Sequence, residues 1–205
     1  MKKSIFACLA SLALTGAAIA APLSFDFKDP KGVNAVQFHL DSLLEPISGT
    51  AGGVSGTVSF DPADPSATAG TIVVAANSLV VSNSMMTDHL QGNNWLDVAT
   101  YPEIAFTLSS LSDLKSAGNT TSAVANGTFT LKGVTKEISV PVKLTYLPDA
   151  LEKRTRPGNK GDLLVVRGEF TILRADYGIQ PGQNEDKVNP EIKLTVAIVG
   201  SAPKA

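Results

Sequence analysis

Short runs in which apolar and polar residues alternate recur along most of the chain, and this pattern restricts it to antiparallel β-structure. Val36, Phe38 and Leu40 alternate with Gln37 and His39, and Val54, Gly56, Val58 and Phe60 with Ser55, Thr57 and Ser59. Later, Ile138, Val140, Val142, Leu144 and Tyr146 face Ser139, Pro141, Lys143 and Thr145, and Ile192, Leu194, Val196 and Ile198 repeat the pattern. Successive side chains of a strand point to opposite faces, so each run has one buried and one wet face. We expect eight to nine strands, near residues 23–28, 33–41, 53–60, 69–81, 103–111, 120–131, 134–147, 162–174 and 190–199. The stretch from Leu163 is at first apolar on both parities, which predicts cover on its outer face as well. Lys132-Gly133 reads as a tight hairpin, and Asp61-Pro62 with Asp64-Pro65 as an ordered turn. The Gly-rich run Gly49–Gly56 reads as a turn into a strand. Consecutive strands joined by short turns favour an all-β, antiparallel up-and-down barrel of about eight strands, which removes exposed edges by closing. Pro141 has no N–H to donate and predicts an edge or a bulge within its strand.

One segment breaks the alternation. Met85, Met86 and Leu90 fall at helical spacing, with Met86 and Leu90 on one face. Asn83 or Ser84 can cap the start and Gly92 can end the turn. Tyr101-Pro102 then keeps the chain extended before Ile104, Phe106 and Leu108 resume the period of two. A helical turn feeding a strand reads as a short helical lid on the barrel.

The chain opens with Lys2-Lys3, an apolar run from Ile5 to Leu14 and Ala18-Ile19-Ala20, the arrangement of a secretory signal peptide over residues 1–20. The apolar run is shorter than the roughly 20 residues a membrane-spanning helix needs. The only cysteine, Cys8, lies inside it, so residues 21–205 offer no thiol or disulfide. They suffice for one domain with a substantial core. The formal charge of the whole chain is −2, and losing Lys2 and Lys3 makes it more acidic, which excludes a nucleic-acid footprint. The loop from Pro148 to Asp162 carries Lys153, Arg154, Arg156 and Lys160 and reads either as a solvated hairpin end or as a rim attracting an anion.

Catalytic chemistry is sparse, and we expect no enzyme. His39 lies on the polar parity of its strand. His89 stands next to Asp88, but sequence neighbours on a helix do not face each other, so no catalytic residue is assigned. Two separated histidines without cysteine make no metal site. The positive signal is apolar. A barrel of about eight strands is filled by its own side chains or holds one small ligand. Gly56, Gly127 and Gly168 share the inward parity, where they either leave space or mark bulges.

Four elements stand in order along the chain: Phe60-Asp61-Pro62, the DHLQGNNWLDVATYPEIAF stretch from Asp88 to Phe106, the FTLKGVTKEISVPV stretch from Phe129 to Val142, and LRADYGI with Arg174, Asp176 and Gly178. Together they resemble the YceI-like family, periplasmic lipocalin-like barrels associated with polyisoprenoid binding. In order they span most of the chain from about Ser24 to Gly200. Thr87 and Gln91 stand where the family often has arginines beside the Asp-x-His-Leu element, and GVNAVQF (Gly32–Phe38) where it often has a His-Ser pair. The resemblance implies one YceI-like domain over 21–205, with a tunnel that takes an isoprenoid chain. Candidate tunnel and mouth residues are Phe38, Phe60, Met85, Met86, Leu90, Trp95, Phe106, Phe129, Phe170 and Tyr177. Candidates near the head group are His89, Asn94, Arg174 and Asp176, the last two being equally readable as a structural pair.

The expected function is therefore a periplasmic, non-enzymatic binding protein that stores or transfers a polyisoprenoid, quinone-like or other long apolar lipid. It would need no cofactor beyond a bound isoprenoid-type lipid, and its partner would be a membrane surface or a membrane redox protein. The alternatives are an enzyme or redox accessory acting on a small hydrophobic substrate, and a filled barrel acting through its surface. Export is testable directly: protein recovered from the cell envelope should begin at Ala21 on N-terminal sequencing, and an intact Met1 in the cytosol would refute cleavage.

Overall fold

The computed structural model describes residues 21–204, so the expected export signal over residues 1–20 lies outside them. The strands are Leu23–Asp26 (β1), Ala35–Leu40 (β2), Ile47–Ala51 (β3), Val54–Phe60 (β4), Ala69–Ala75 (β5), Leu79–Val81 (β6), Glu103–Ala117 (β7), Thr120–Leu131 (β8), Val134–Leu147 (β9), Gly161–Leu173 (β10) and Glu191–Pro203 (β11). The helices are Ser84–Gln91 (α1) and Leu151–Arg154 (α2). β1 and β2, β3 and β4, and β5 and β6 are halves of three staves, each broken once. The result is a closed antiparallel barrel of eight staves, in which β11 pairs with β2 and, through Ser201 opposite Asp26, with β1.

The breaks have local causes. Between β1 and β2, Asp29 accepts the backbone N–H groups of Lys31, Val33 and Asn34. Asn34, 1 % exposed, donates to the carbonyls of Phe27 and Val199 and accepts from the Val199 N–H. Its side chain thus stands in for a missing rung beside β11. β3 was not expected as a strand: ISGTA has no apolar run. Its Gly49 lies opposite Phe38, and a Cβ there would fall 2.1 Å from the Phe38 ring. The expected strand over 69–81 is interrupted by a turn at Ala76–Ser78.

Closure is complete at one end and partial at the other. β5 pairs with β7, but β6 pairs only with β3, so its far edge meets no strand. The rungs between β9 and β10 run only from Leu147 opposite Leu163 to Val142 opposite Gly168, and stop next to Pro141. That is where a residue without an N–H was expected to mark an edge. Beyond this point the two strands are linked by side chains: Lys136 pairs with Asp176 at 3.1 Å, and the Phe129 and Phe170 rings stack edge to face at 5.9 Å. As the double apolar parity required, Leu163 is covered from outside by Ala150 and Leu151 at the start of α2.

The complete end is filled. Phe25, Phe60 and Tyr146 form a triangle of rings with centroids 6.3–6.4 Å apart, with Phe27, Leu164 and Ile198 packed around them. The Tyr146 hydroxyl donates to buried Asp162 at 2.8 Å; Asp162 also accepts the Asp149 N–H at 2.9 Å and pairs with Lys204 at 2.6 Å. Burial, and then the Asp162 carboxylate, push the Tyr146 phenol up to about 12. Burial acts to raise Asp162, but Lys204, the Asp149 N–H and the Tyr146 hydroxyl outweigh it and hold the carboxyl below its usual range.

The signs give a pH profile. A phenol raised in the folded state contributes stability fully below its unfolded value of roughly 10, and that contribution is lost as pH rises toward the folded value. A lowered carboxyl contributes above roughly pH 4 and loses that contribution as pH falls through its folded value. Urea midpoints should therefore decline at both extremes. Tyr146→Phe should cost about 1–2 kcal/mol at neutral pH and flatten the alkaline decline between about pH 10 and 12. An alkaline limb identical in wild type and variant would show that this phenol does not set it.

Candidate ligand-binding cavity

The inner row of β8 reads Thr121, Ala123, Ala125, Gly127, Phe129 and Leu131, four small residues and then two large ones. β10 contributes Val166, Gly168, Phe170 and Ile172, and β2 contributes Val36, Phe38 and Leu40. Above the aromatic plug these rows leave a cavity of about 500 Å³, within the roughly 300–1,000 Å³ of small-molecule sites. It is elongated: its wall follows β10 from Val166 to Arg174, roughly 26 Å of chain at about 3.3 Å per residue. The wall is overwhelmingly apolar. Exposed Glu45, His89, Asn184 and Lys187 mark its mouth, at the end opposite the plug.

The lid sits where β6 lacks a neighbour. Asn83 caps α1 by accepting the Met86 N–H at 3.2 Å, and the Gly92 N–H closes its last turn on the His89 carbonyl at 3.1 Å. Thr87 Oγ1 accepts the Val81 N–H and donates to the Val81 carbonyl, while Gln91 Nε2 donates to the carbonyls of Asn77 and Leu79. These two side chains therefore satisfy the open edge of β6. Met86, His89 and Leu90, three and four residues apart, line the cavity from one face of the helix.

The expected residues divide by position. Phe38, Met86, Leu90, Trp95, Phe106, Phe129 and Phe170 line the cavity. Phe60 belongs to the plug, Met85 points outward at 66 % exposure, and Tyr177 is buried behind the wall with its ring edge to face on Phe129 at 5.6 Å. Of the polar candidates, His89 and Arg174 line the wall. Asn94 offers its carbonyl to Gln180 at 2.9 Å, and Asp176 turns outward to Lys136. Arg174 and Asp176 do not pair: the Arg174 guanidinium donates to the carbonyls of Ile179, Gln180, Gln183 and Val188. His89 and Asp88 are both exposed on the lid. Among the described residues no cluster of three or more His, Cys, Asp or Glu is placed to hold a metal.

Other wall residues escaped the sequence reading. Ile47, Leu79 and Val81 sit on strand halves too short to show a period, and Glu45, Asn184, Lys187 and Val188 come from loops, where no period exists. The basic loop lies at the plugged end, where Arg154 donates to Asp29 at 3.0 Å and Asn34 at 3.1 Å. Beside the mouth, Leu43 and Leu44 on the β2–β3 hairpin are 85 % and 60 % exposed.

Residues 29–200 match the YceI-like domain model. The chain belongs to the YceI-like family. It is 32 % identical to Protein YceI of Salmonella arizonae over 208 residues, covering all of both chains. Its fold is similar to that of Burkholderia cenocepacia BcnA, with a TM-score of 0.66, 21 % identity, and coverage of 81 % of this chain and 95 % of that one. It is also similar to a polyisoprenoid binding domain from Saccharophagus degradans implicated in plant cell wall breakdown, with a TM-score of 0.61, 14 % identity, and coverage of 90 % and 100 %.

Within this YceI-like barrel the inward glycines have different roles. A Cβ on Gly127 would fall 2.2 Å from the Thr107 carbonyl oxygen, beside the register shift between Leu108 and Ser110 in the β7–β8 pairing. Gly56, at φ +114, meets the Thr71 carbonyl in the same way. A Cβ on Gly168 would come no nearer than 3.2 Å to its neighbours, and this glycine lines the cavity. Gly127→Leu should therefore destabilise by about 3 kcal/mol or more, whereas Gly168→Leu should cost about 1–2 kcal/mol and fill the cavity. Urea unfolding of the pair checks this, and equal losses would contradict it.

Proposed function

We propose that this protein is an exported, non-enzymatic carrier that encloses the chain of a polyisoprenoid or similar long apolar lipid in the barrel and shields it from water. The observation that carries this reading is the elongated, apolar cavity, plugged by aromatic rings at one end and open beside a helical lid at the other. The polyisoprenoid binding named for the Saccharophagus degradans neighbour supports the choice of lipid. The signal-like start of the chain supports export to the periplasm. Exposed Leu43, Leu44 and Met85 near the mouth support loading at a membrane surface.

The energetics favour chains over small solutes. Each buried methylene contributes about 0.8 kcal/mol, so about twenty carbons supply roughly 16 kcal/mol against an association cost of about 4–15 kcal/mol. A short solute leaves no surplus. Methionine at the lid suits a ligand of variable shape.

Native mass spectrometry of protein purified without detergent should show a co-purifying lipid of several hundred daltons. Trp95 is the only tryptophan and lines the cavity, so its emission should change saturably on adding a long isoprenoid, and Met86→Ala should weaken that response. His89→Ala should leave binding nearly unchanged. Saturable turnover of a small substrate abolished by His89→Ala would instead favour an enzyme.

A further inference from the structure

Among the described residues, the cavity wall has one place where two neighbouring strands run side by side without pairing. β8 pairs with β9 up to Leu131 opposite Val134, and β10 with β11 up to Leu173 opposite Glu191, so both ladders continue to the mouth. Between β9 and β10 the last rung is Val142 opposite Gly168, next to Pro141, which has no N–H to donate. From there to the mouth, Glu169–Leu173 faces the first half of β9 across a seam roughly 17 Å long, at about 3.3 Å per residue. Both sides of the seam line the cavity, Val140 and Val142 from β9 and Gly168, Phe170 and Ile172 from β10.

Side chains span this seam. Lys136 pairs with half-exposed Asp176 at 3.1 Å, and Lys132 Nζ donates to the Gly178 carbonyl at 3.4 Å. Inside, the Phe129 ring meets those of Phe170 and Tyr177 edge to face at 5.9 Å and 5.6 Å. Parting two fully paired strands breaks a row of backbone hydrogen bonds. Parting β9 from the end of β10 breaks a surface ion pair, which contributes little, and lets the rings repack. The β7–β8 ladder shifts register between Leu108 and Ser110, so above that level the β8–β9 hairpin is tied to β7 only by the short ladder from Leu108 to Ala105.

The seam also has an apolar margin. Val134 at the start of β9 and Leu173 at the end of β10 are 36 % and 45 % exposed where it reaches the mouth. A chain threaded end-on through the mouth passes every segment by Glu45, His89, Asn184 and Lys187. We propose that the seam is a side entrance: the β8–β9 hairpin swings away from the end of β10, and the lipid chain is laid into the cavity along its length. This rests on the lipid-carrier reading above and adds to it the route of loading and release.

Cys8 is the only cysteine, so in a Cys8→Ser background two introduced cysteines can be joined selectively by a bis-maleimide. Ser139→Cys with Thr171→Cys staples the seam, at positions that the β9–β10 register brings opposite each other when extended beyond Val142 and Gly168. Thr128→Cys with Glu137→Cys, directly opposed on β8 and β9, staples a paired ladder as the control. The probe is hexaprenyl alcohol delivered from cyclodextrin, with Trp95 emission giving the rate and native mass spectrometry the occupancy. The seam staple should slow uptake about tenfold or more, and slow release equally when applied after loading, whereas the control staple should change neither. Lys136→Glu, which sets two carboxylates against each other, should speed uptake about two- to fivefold, and adding Asp176→Lys should restore the original rate. Uptake as fast with the seam stapled as with the control stapled overturns side entry and leaves the carrier intact. A probe that binds none of these proteins, stapled or not, by emission or by mass, removes the carrier and its entrance together.

Discussion

A β-sheet edge with unpaired N–H and C=O groups has to be paired or covered, and this barrel meets that requirement differently at its two ends. At the plugged end β1 and β11 meet and the staves close on one another. At the other end β7 pairs with β5 but not with β6, which leaves β6 with an open edge, and the rungs between β9 and β10 stop next to Pro141. The lid is the covering: Thr87 and Gln91 supply the groups that a neighbouring strand would have supplied to Val81, Leu79 and Asn77. Those contacts, together with the packing of Leu90 against the buried cluster of Leu96 and Phe129, hold α1 where Met86 and Leu90 line the cavity. The mouth is therefore a consequence of where the sheet stops pairing.

The interior follows from side-chain size along the inward rows. Aromatic rings from β1, β4 and β9 meet at one level and fill the barrel. Farther up, Ala125 and Gly168 face the larger residues of other staves and the rows no longer meet. Glycine identity does not reveal which role a position has. Gly168 opens space, whereas Gly127 and Gly56 permit backbones to approach more closely than a Cβ would allow.

The Arg174 loop shows a second way of satisfying backbone groups. The segment after Gly178 forms no strand with its neighbours, and its carbonyls converge on one buried guanidinium. Gly178, left-handed at φ +65, turns the chain so that this can happen. Asp176, two residues from Arg174, points the other way and ties the β10 end to β9 where the rungs have stopped. Sequence proximity suggested a pair, and the tight turn between them separated the two side chains.

Alternation determined the all-β class and the two faces of the longer strands, because a period of two depends only on local backbone geometry. The helical spacing of Met86 and Leu90 and the Asn83 cap likewise determined the lid as a local element. Depth within the barrel was decided by tertiary structure alone. Phe38 and Phe60 have the same parity and chemistry, yet one lines the cavity and the other plugs it, because their levels depend on the stagger between staves. Mouth residues such as Glu45 and Lys187 were equally hidden, since loops carry no period and their placement depends on contacts such as Leu44 N–H to the Asp186 carbonyl at 3.1 Å. Sequence specifies which way a strand residue faces; only the closed sheet sets how far along the axis it stands and what it meets there.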